Sequence, residues 1–291
     1  MQVVLHTGAH MTDEGKLVAN LIKNSEVLAQ WGTHAPNPAS YRNLIRKLLR
    51  DAAETSVGED ARDVVMNAVS PEQEPERLIL SGPGFFGTPR MSAGGGRFYP
   101  SAEARLGYFH QMFPHDQLEF FFAIRNPASF LPAVFDAANF TAMAEFLRGT
   151  EPAEFCWSNL IHRLRDAYPN LPITIWCNED TPLIWAEIMR EMAGLDATVA
   201  LDGEFALLGD IMTRPGMQRF EAYIASHSGM TEIQKRRVIA AFLDKFADDS
   251  AIEEELDVPG WTEQLVAHLT ELYDEDLFAI QRIPGINLIT P

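Results

Sequence analysis

The chain has 291 residues, with 23 basic and 41 acidic side chains, and its formal net charge at pH 7 is −18. This balance argues against a general nucleic-acid binder, because such proteins present a basic face to phosphates. Two cysteines are too few for a disulfide framework and fit a reducing compartment. The N-terminus does not resemble a signal peptide, and the most apolar window, residues 118–124, is far shorter than a membrane span. We therefore expect a cytoplasmic protein that binds neither membranes nor nucleic acids.

Four short apolar runs predict buried strands. They do not alternate between apolar and polar residues, which is typical of strands in a parallel sheet covered on both faces. Patterns with helical periodicity lie between them, so the sequence predicts an α/β fold with a mainly parallel sheet flanked by helices. The four runs are residues 3–6, 78–81, 120–125 and 173–177.

The strand signal disappears after about residue 200. Thr231 with Gln234, and likewise Ser250 with Glu253, have the spacing of a capping box at the start of a helix. We expect a single domain over residues 1–291, with an α/β core at about 1–195 and a helical C-terminal extension at about 200–291. No linker separates the two parts.

The most informative segment is the strand, turn and helix that open the chain. Gly8 follows the first strand, and a helix is expected to begin near Thr12 or Asp13. Backbone N–H groups and the positive end of the helix dipole then point to one place, which makes a natural cradle for a phosphate. The standard nucleotide loop is excluded, because six residues rather than four separate Gly8 from Gly15, and Leu17 stands where a hydroxyl should bind magnesium.

The segment His6-Thr-Gly-Ala-His-Met-Thr resembles the opening loop of the sulfotransferases that use 3′-phosphoadenylyl sulfate (PAPS). In bacterial members this opening reads H-x-G-x-x-K-T-G-T-T, and His6, Gly8 and Thr12 match it. Arg125-Asn-Pro resembles the family's strand that ends in R-D/N-P, whose arginine contacts the 3′-phosphate of PAPS. Residues 78–81 and 172–180 are similar to two further strands of the family, so the resemblance extends from residue 3 to about residue 195.

This resemblance implies a P-loop, sulfotransferase-like fold and the transfer of a sulfuryl group from PAPS to a hydroxyl or amine acceptor. It also implies that the turn formed by Gly8, Ala9, His10 and Thr12 holds the 5′ side of the cofactor. The 3′-phosphate would then be held by Arg125, which should end a central strand close to the Gly8 turn.

Four positions depart from the family's pattern. Met11 stands where the family has the lysine that bridges the leaving phosphate and the sulfuryl group. Asp13 and Glu14 replace residues that hold the 5′-phosphate, and Ala133 stands where the family has a phosphate-binding serine. These departures favour an alternative, a non-catalytic relative that binds a partner or another anionic ligand. A small-molecule kinase is a third hypothesis, which the failed nucleotide loop disfavours.

Two residues are candidates for assisting the transfer. Lys16, one turn into the expected helix, could reach back to the loop in place of the missing lysine, or it is a solvated lysine on an exposed helix face. His110 could act as a general base toward an acceptor hydroxyl, as could His34 and His115. The alternative for each is an ordinary surface or hydrogen-bonded histidine.

Two further basic features are candidates for binding an anion. Residues 82–97 are rich in glycine and proline, and Arg90 and Arg97 could clasp a small anion there; the alternative is a surface loop with no ligand. The helix over residues 41–54 carries a basic stripe that could meet a phosphate or an acidic partner, or is a solvated face. The stripe consists of Arg42, Arg46, Lys47 and Arg50.

The sequence predicts no metal site. His6 and His10 are four residues apart, but they span a strand end and a turn rather than one face of a helix. A small anionic molecule is therefore the expected ligand.

Overall fold

The structure is a computed structural model that describes residues 1–69, 74–252 and 258–291. The strands are β1 (Gln2–His6), β2 (Thr33–His34), β3 (Arg77–Ser81), β4 (Ala93–Gly94), β5 (Arg97–Phe98), β6 (Gln117–Ile124), β7 (Ile173–Cys177) and β8 (Ile286–Ile289). The helices are α1 (Lys16–Lys23), α2 (Ser25–Gln30), α3 (Pro38–Glu54), α4 (Ala61–Val69), α5 (Ala102–Met112), α6 (Pro127–Ala138), α7 (Met143–Phe146), α8 (Trp157–Ala167), α9 (Thr181–Ala193), α10 (Leu208–Ile211), α11 (Arg214–Ser226), α12 (Glu232–Phe246), α13 (Asp249–Ile252) and α14 (Glu263–Gln281).

A six-stranded sheet forms the centre of the described part of the chain, in the order β2-β3-β1-β6-β7-β8. Every pair of neighbouring strands in it is parallel. A separate antiparallel hairpin pairs β4 with β5. The prediction of an α/β fold with a mainly parallel sheet is confirmed, and the four predicted strands are β1, β3, β6 and β7.

Both faces of the sheet are covered, which explains why the strands read as continuous apolar runs. Val3 and Leu5 of β1 belong to a core that includes residues of α3, α5 and α8, whereas Val4 packs on the opposite face with residues of α1 and α9. Successive side chains of a strand point to opposite faces, so a strand buried on both faces needs an apolar residue at every position.

The carboxyl ends of the strands lie together at one edge of the sheet, because all six are parallel. His6 is in register with Ser81 of β3 on one side and with Phe121 of β6 on the other. From β1 the chain first builds the β2–β3 side and then continues on the other side with β6. Ligands of open α/β sheets bind at such a switch point, at the carboxyl edge.

The C-terminal part differs from its prediction in one element. It is mostly helical, as predicted, and it adds one strand that the sequence analysis did not predict, because β8 returns to the sheet and pairs in parallel with β7. The capping box at Thr231 is confirmed and begins α12. Ser250 lies within α13, and Glu253, the other half of that predicted box, lies outside the described residues. Within the described ranges, no helix combines the length and apolarity that crossing a bilayer needs.

Candidate functional site

The loop between β1 and α1 closes on itself at the carboxyl edge. Helix α1 begins at Lys16, not near Thr12 or Asp13 as the sequence predicted. The reason is the backbone: Glu14 and Gly15 have φ values of 52° and 84°, in the left-handed region that a right-handed helix cannot contain.

The start of α1 is capped by the loop's own carboxylate. Asp13 Oδ2 accepts the backbone N–H of Leu17 at 3.0 Å, and the Asp13 carbonyl accepts the N–H of Lys16 at 2.8 Å. A negative side chain is favourable at a helix N-terminus, because it neutralises the positive end of the dipole. The carboxylate of Asp13 therefore takes the place that the sequence analysis assigned to a phosphate.

The residues of the turn use their polar groups inside the protein. The N–H of Ala9 donates to the carbonyl of Ala123 at 3.0 Å, and the N–H of His10 donates to the Tyr99 hydroxyl at 2.9 Å. The hydroxyl of Thr12 donates to the Ala9 carbonyl at 2.8 Å. The expectation that these three groups hold the 5′ side of a cofactor therefore conflicts with the bonds they make.

His10 fixes the loop to the core. Its Nδ1 lies 2.7 Å from the Tyr99 hydroxyl, which already accepts the His10 N–H and so donates its proton to Nδ1. Burial lowers the pKa of His10 to about 4, so the ring is neutral at pH 7. Tyr99 is itself buried in the main core. His10 is thus a structural residue of the loop rather than one that faces a ligand.

Arg125 lies next to the loop, as predicted. It follows β6 directly, its side chain is buried, and its guanidinium donates to the Met11 carbonyl and, through Nε, to Ser129 Oγ at 3.0 Å. Pro127 is the first residue of α6, which follows almost directly. Arg125 therefore ends a central strand and contacts the loop that follows β1, while its role toward a 3′-phosphate stays a prediction.

Helix α14 covers the carboxyl ends of β6 and β7. Asn126 donates its side-chain amide to Thr270 at 2.9 Å, and its backbone N–H donates to the Glu179 carboxylate at 2.7 Å. The Tyr273 hydroxyl donates to the same carboxylate at 3.2 Å. Burial raises the pKa of Cys177, at the end of β7, to about 12, so its thiol is not a nucleophile at neutral pH.

Neither residue nominated for assisting transfer reaches the loop. The ammonium of Lys16 pairs with Asp210 of α10 at 2.9 Å, and this hydrogen bond raises the pKa of Lys16. His110 lies in the last turn of α5 and stacks on Tyr168, with ring centroids 4.7 Å apart. It borders a surface pocket with Gln117, the first residue of β6, so it lies at the amino edge of the sheet. This position does not favour the expected role of His110 as a general base toward an acceptor, which stays a prediction, because α5 runs back toward that edge before β6 begins.

The glycine-rich segment has a structural explanation. Gly95 and Gly96 connect β4 to β5, with φ values of 60° and 69°. Two positive φ values are what a tight two-residue hairpin turn requires. Arg90 donates to the Ala138 carbonyl at 3.0 Å and lies over the Phe140 ring, whereas Arg97 is exposed on β5. Anion binding by these two arginines stays a prediction.

A group of residues that the sequence analysis did not assign lies between the ends of β1 and β3. His6 Nδ1 is 3.0 Å from Ser81 Oγ, and Arg42 of α3 donates through Nε to the Ser81 carbonyl at 2.8 Å. Three buried atoms here have no hydrogen-bond partner among the described residues: His6 Nε2, Thr7 Oγ1 and Arg42 Nη2. Burial lowers the pKa of His6. The basic stripe of α3 was the sequence feature that could have indicated Arg42. It contains four basic residues, however, and the sequence does not show which of them turns toward the sheet.

The residues of this edge do not fit the 5′ end of PAPS. At the start of α1 the Asp13 carboxylate already accepts the N–H of Leu17, and Met11 provides no charge for a leaving phosphate. In the described ranges no group of three or more His, Cys, Asp or Glu side chains is placed to hold a metal ion.

Comparisons with known proteins add little to this description. No family model matches the chain, and no curated protein matches it. Among solved structures, a sulfotransferase from Alicyclobacillus acidocaldarius is similar over 82% of this chain and 97% of its own, at 11% sequence identity and a TM-score of 0.38. Values this low carry no inference, so the fold class rests on the sheet topology and the function on the site.

Proposed function

We propose that this chain is a binding protein with a sulfotransferase-like fold, whose carboxyl-edge site holds an anionic ligand without transferring a sulfuryl group. The loss of transfer rests on the Asp13 carboxylate, which accepts the Leu17 N–H at the start of α1, and the binding role rests on the buried, unpartnered His6 Nε2 and Arg42 Nη2 of the described part. A phosphate at the start of α1 would have to displace that carboxylate from the helix end and remain beside it.

The loss of transfer chemistry follows from the residues around the loop. Met11 offers no donor to the charge that develops on a leaving phosphate, and one such donor contributes about 3–4 kcal/mol to a transition state. Lys16 does not replace it, because its ammonium pairs with Asp210. Since His110 lies at the opposite edge and the His10 ring is bonded to Tyr99, we expect no measurable turnover.

A second candidate function is slow sulfuryl transfer from PAPS. It is favoured by one specific observation, the contact between the Arg125 guanidinium and the Met11 carbonyl. This contact brings the proposed 3′-phosphate residue and the loop to the same place, as a shared cofactor site requires.

An assay of PAPS consumption separates the two functions. The purified chain is incubated with PAPS and a panel of hydroxyl and amine acceptors, and release of adenosine 3′,5′-bisphosphate is followed. We expect no release above that of buffer. Acceptor-dependent release that is abolished in the Arg125→Gln variant would support transfer and contradict the binding role.

A further inference from the structure

Two of the unpartnered polar atoms at the carboxyl edge face the inner side of the loop. A Cβ atom added to Gly8 would lie 3.6 Å from His6 Nε2, and one added to Gly15 would lie 3.9 Å from Arg42 Nη2. The two glycines lie near the start and at the end of the loop, so the imidazole lies beside one end of the loop and the guanidinium beside the other. His6 is only 2% exposed, and its Nε2 has no protein partner in the described ranges.

Both side chains are oriented by the same residue. The Ser81 hydroxyl is bonded to His6 Nδ1, and the Ser81 carbonyl accepts from Arg42 Nε. When the hydroxyl donates to Nδ1, the proton of the neutral imidazole is on Nε2, which is then a donor. Arg42 Nη2 is a donor in every state, because a guanidinium stays protonated. Two buried donors that are held in place and lack acceptors are the complement of an oxyanion.

A surface groove leads to Arg42, one member of this pair. It lies between α1 and the first turns of α3, and Arg42 borders it. Arg46, one turn further along α3, is exposed on the same groove. The remaining wall is largely apolar but includes the carboxylate of Glu14, while Arg42 and Arg46 supply the positive charge of the groove. The groove is lined in part by Gly15, Val18, Ala19, Ile22 and Pro38.

We propose that the inner side of the loop binds one small tetrahedral oxyanion, inorganic phosphate or sulfate, through the Arg42 guanidinium and the His6 Nε2–H. This inference specifies the ligand of the binding role proposed above, and it rests on that proposed role. The site uses neither the helix end, which Asp13 caps, nor Arg125, and so differs from the nucleotide contacts that the family resemblance implies. The carboxylates of Asp13 and Glu14 limit the charge that it accepts, which favours a single oxyanion over a nucleotide with several phosphates.

Calorimetric titration with inorganic phosphate, and separately with sulfate, tests the site in the full-length protein at constant ionic strength. We expect saturable binding that Arg42→Gln weakens by about tenfold or more, as loss of a charge-assisted pair implies. Arg50→Gln is the matched control, because it removes the same charge from an exposed site on the same helix and should bind as the unaltered protein does. Absence of saturation, or equal weakening in both variants, overturns the inference.

A measurement on the unaltered protein keeps the test decisive if Arg42→Gln does not fold. The ring nitrogens of His6 are followed by NMR during the phosphate titration, and those of His10, which bonds to Tyr99, serve as the internal control. We expect the His6 signals to shift and the His10 signals to stay. If both stay, the inference is wrong.

The outcomes also distinguish this inference from the proposed function. Binding of adenosine 3′,5′-bisphosphate without binding of phosphate or sulfate overturns the oxyanion site and leaves the binding role intact. Turnover of PAPS overturns the proposed function, whether or not inorganic phosphate binds.

Discussion

The two sides of the loop after β1 each carry an arginine, and the two arginines are used differently. On the β6 side, Arg125 is buried and donates to the Met11 carbonyl and to Ser129. On the β3 side, Arg42 makes one bond to the Ser81 carbonyl, and its buried Nη2 has no partner among the described residues. One guanidinium stabilises the loop, whereas the other presents a donor to the space inside it.

This difference shows that an arginine near a glycine-containing loop does not by itself mark a ligand site. Arg125 sits where the family resemblance places a phosphate contact, yet the protein's own carbonyl and hydroxyl groups occupy it. Arg42 is not among the residues to which the resemblance gives a role, and its Nη2 has no partner among the described residues. A buried donor without a protein partner requires an explanation, and a bound ligand is one such explanation.

The largest expected effect is on stability, in the Arg125→Met variant. Removal of the guanidinium leaves the Met11 carbonyl and the Ser129 hydroxyl without a donor that they now use, at about 1–3 kcal/mol each. We expect the free energy of unfolding to fall by about 4 kcal/mol, measured by urea denaturation.

The matched variant on the other side is Arg42→Met. The Ser81 carbonyl that it leaves also accepts from the Tyr41 hydroxyl at 3.1 Å, so we expect a change within about 1 kcal/mol. Equal losses in the two variants would contradict the distinction between the two sides.

The next effect is on the pH dependence of stability, through His10. Its folded pKa of about 4 lies below the ordinary value of 6.5, so the neutral ring stabilises the fold above pH 6.5. This contribution is lost as the pH falls through 4, and a shift of this size corresponds to about 3 kcal/mol.

Denaturation at several pH values between 7 and 4 measures this dependence. We expect His10→Gln to reduce the slope, while part of it remains because burial also lowers the pKa of His6. His268→Gln, at an exposed site on α14, is the control. An unchanged slope in His10→Gln would show that His10 does not anchor the loop in its neutral form.

A smaller effect concerns the affinity for the nucleotide. It distinguishes the residues that oppose cofactor binding, Asp13 and Glu14, from Met11, which removes a charge that would act in the transition state. Asp13→Gly with Glu14→Thr removes two carboxylates from the expected phosphate position, so we expect affinity for adenosine 3′,5′-bisphosphate to rise about tenfold. Met11→Lys alone should scarcely change it, because that charge acts mainly in the transition state. Calorimetry on both variants checks this, and a larger gain from Met11→Lys would reverse the assignment.

The smallest effect is expected for Lys16→Met. The ion pair with Asp210 joins two side chains that are about half exposed, so its loss should change stability by less than about 0.5 kcal/mol. Phosphate affinity should also stay the same, because the ammonium is engaged with Asp210. A severalfold loss of phosphate affinity would place Lys16 at the site after all.

The central strands of the sheet could be predicted from the sequence, because burial on both faces requires a continuous run of apolar residues. The apolar runs of β1, β3, β6 and β7 follow from the parallel sheet, and Arg125 could be placed because Pro127 ends one element and begins the next. The strand β8 was missed because it is a short edge strand that pairs with a partner more than a hundred residues earlier. No local sequence pattern indicates a pairing between segments so far apart in the chain.

The candidate site was less predictable, because side-chain direction decides it. The sequence does not show that α5 brings His110 to the amino edge, or that Glu14 and Gly15 delay the start of α1. It also cannot distinguish Arg42 from the three other basic residues of α3. In each case the deciding contact is long-range, as with Lys16 and Asp210 or with Arg42 and Ser81.

The central claim is that the loop is closed to the nucleotide and keeps donors only for a small anion. The most direct test is calorimetric titration of adenosine 3′,5′-bisphosphate, the desulfated cofactor, into the unaltered protein. We expect binding weaker than micromolar, because Asp13 caps the helix end and the N–H groups of Ala9 and His10 are already bonded. Micromolar or tighter binding would contradict the claim and show that the loop recognises the nucleotide through other groups.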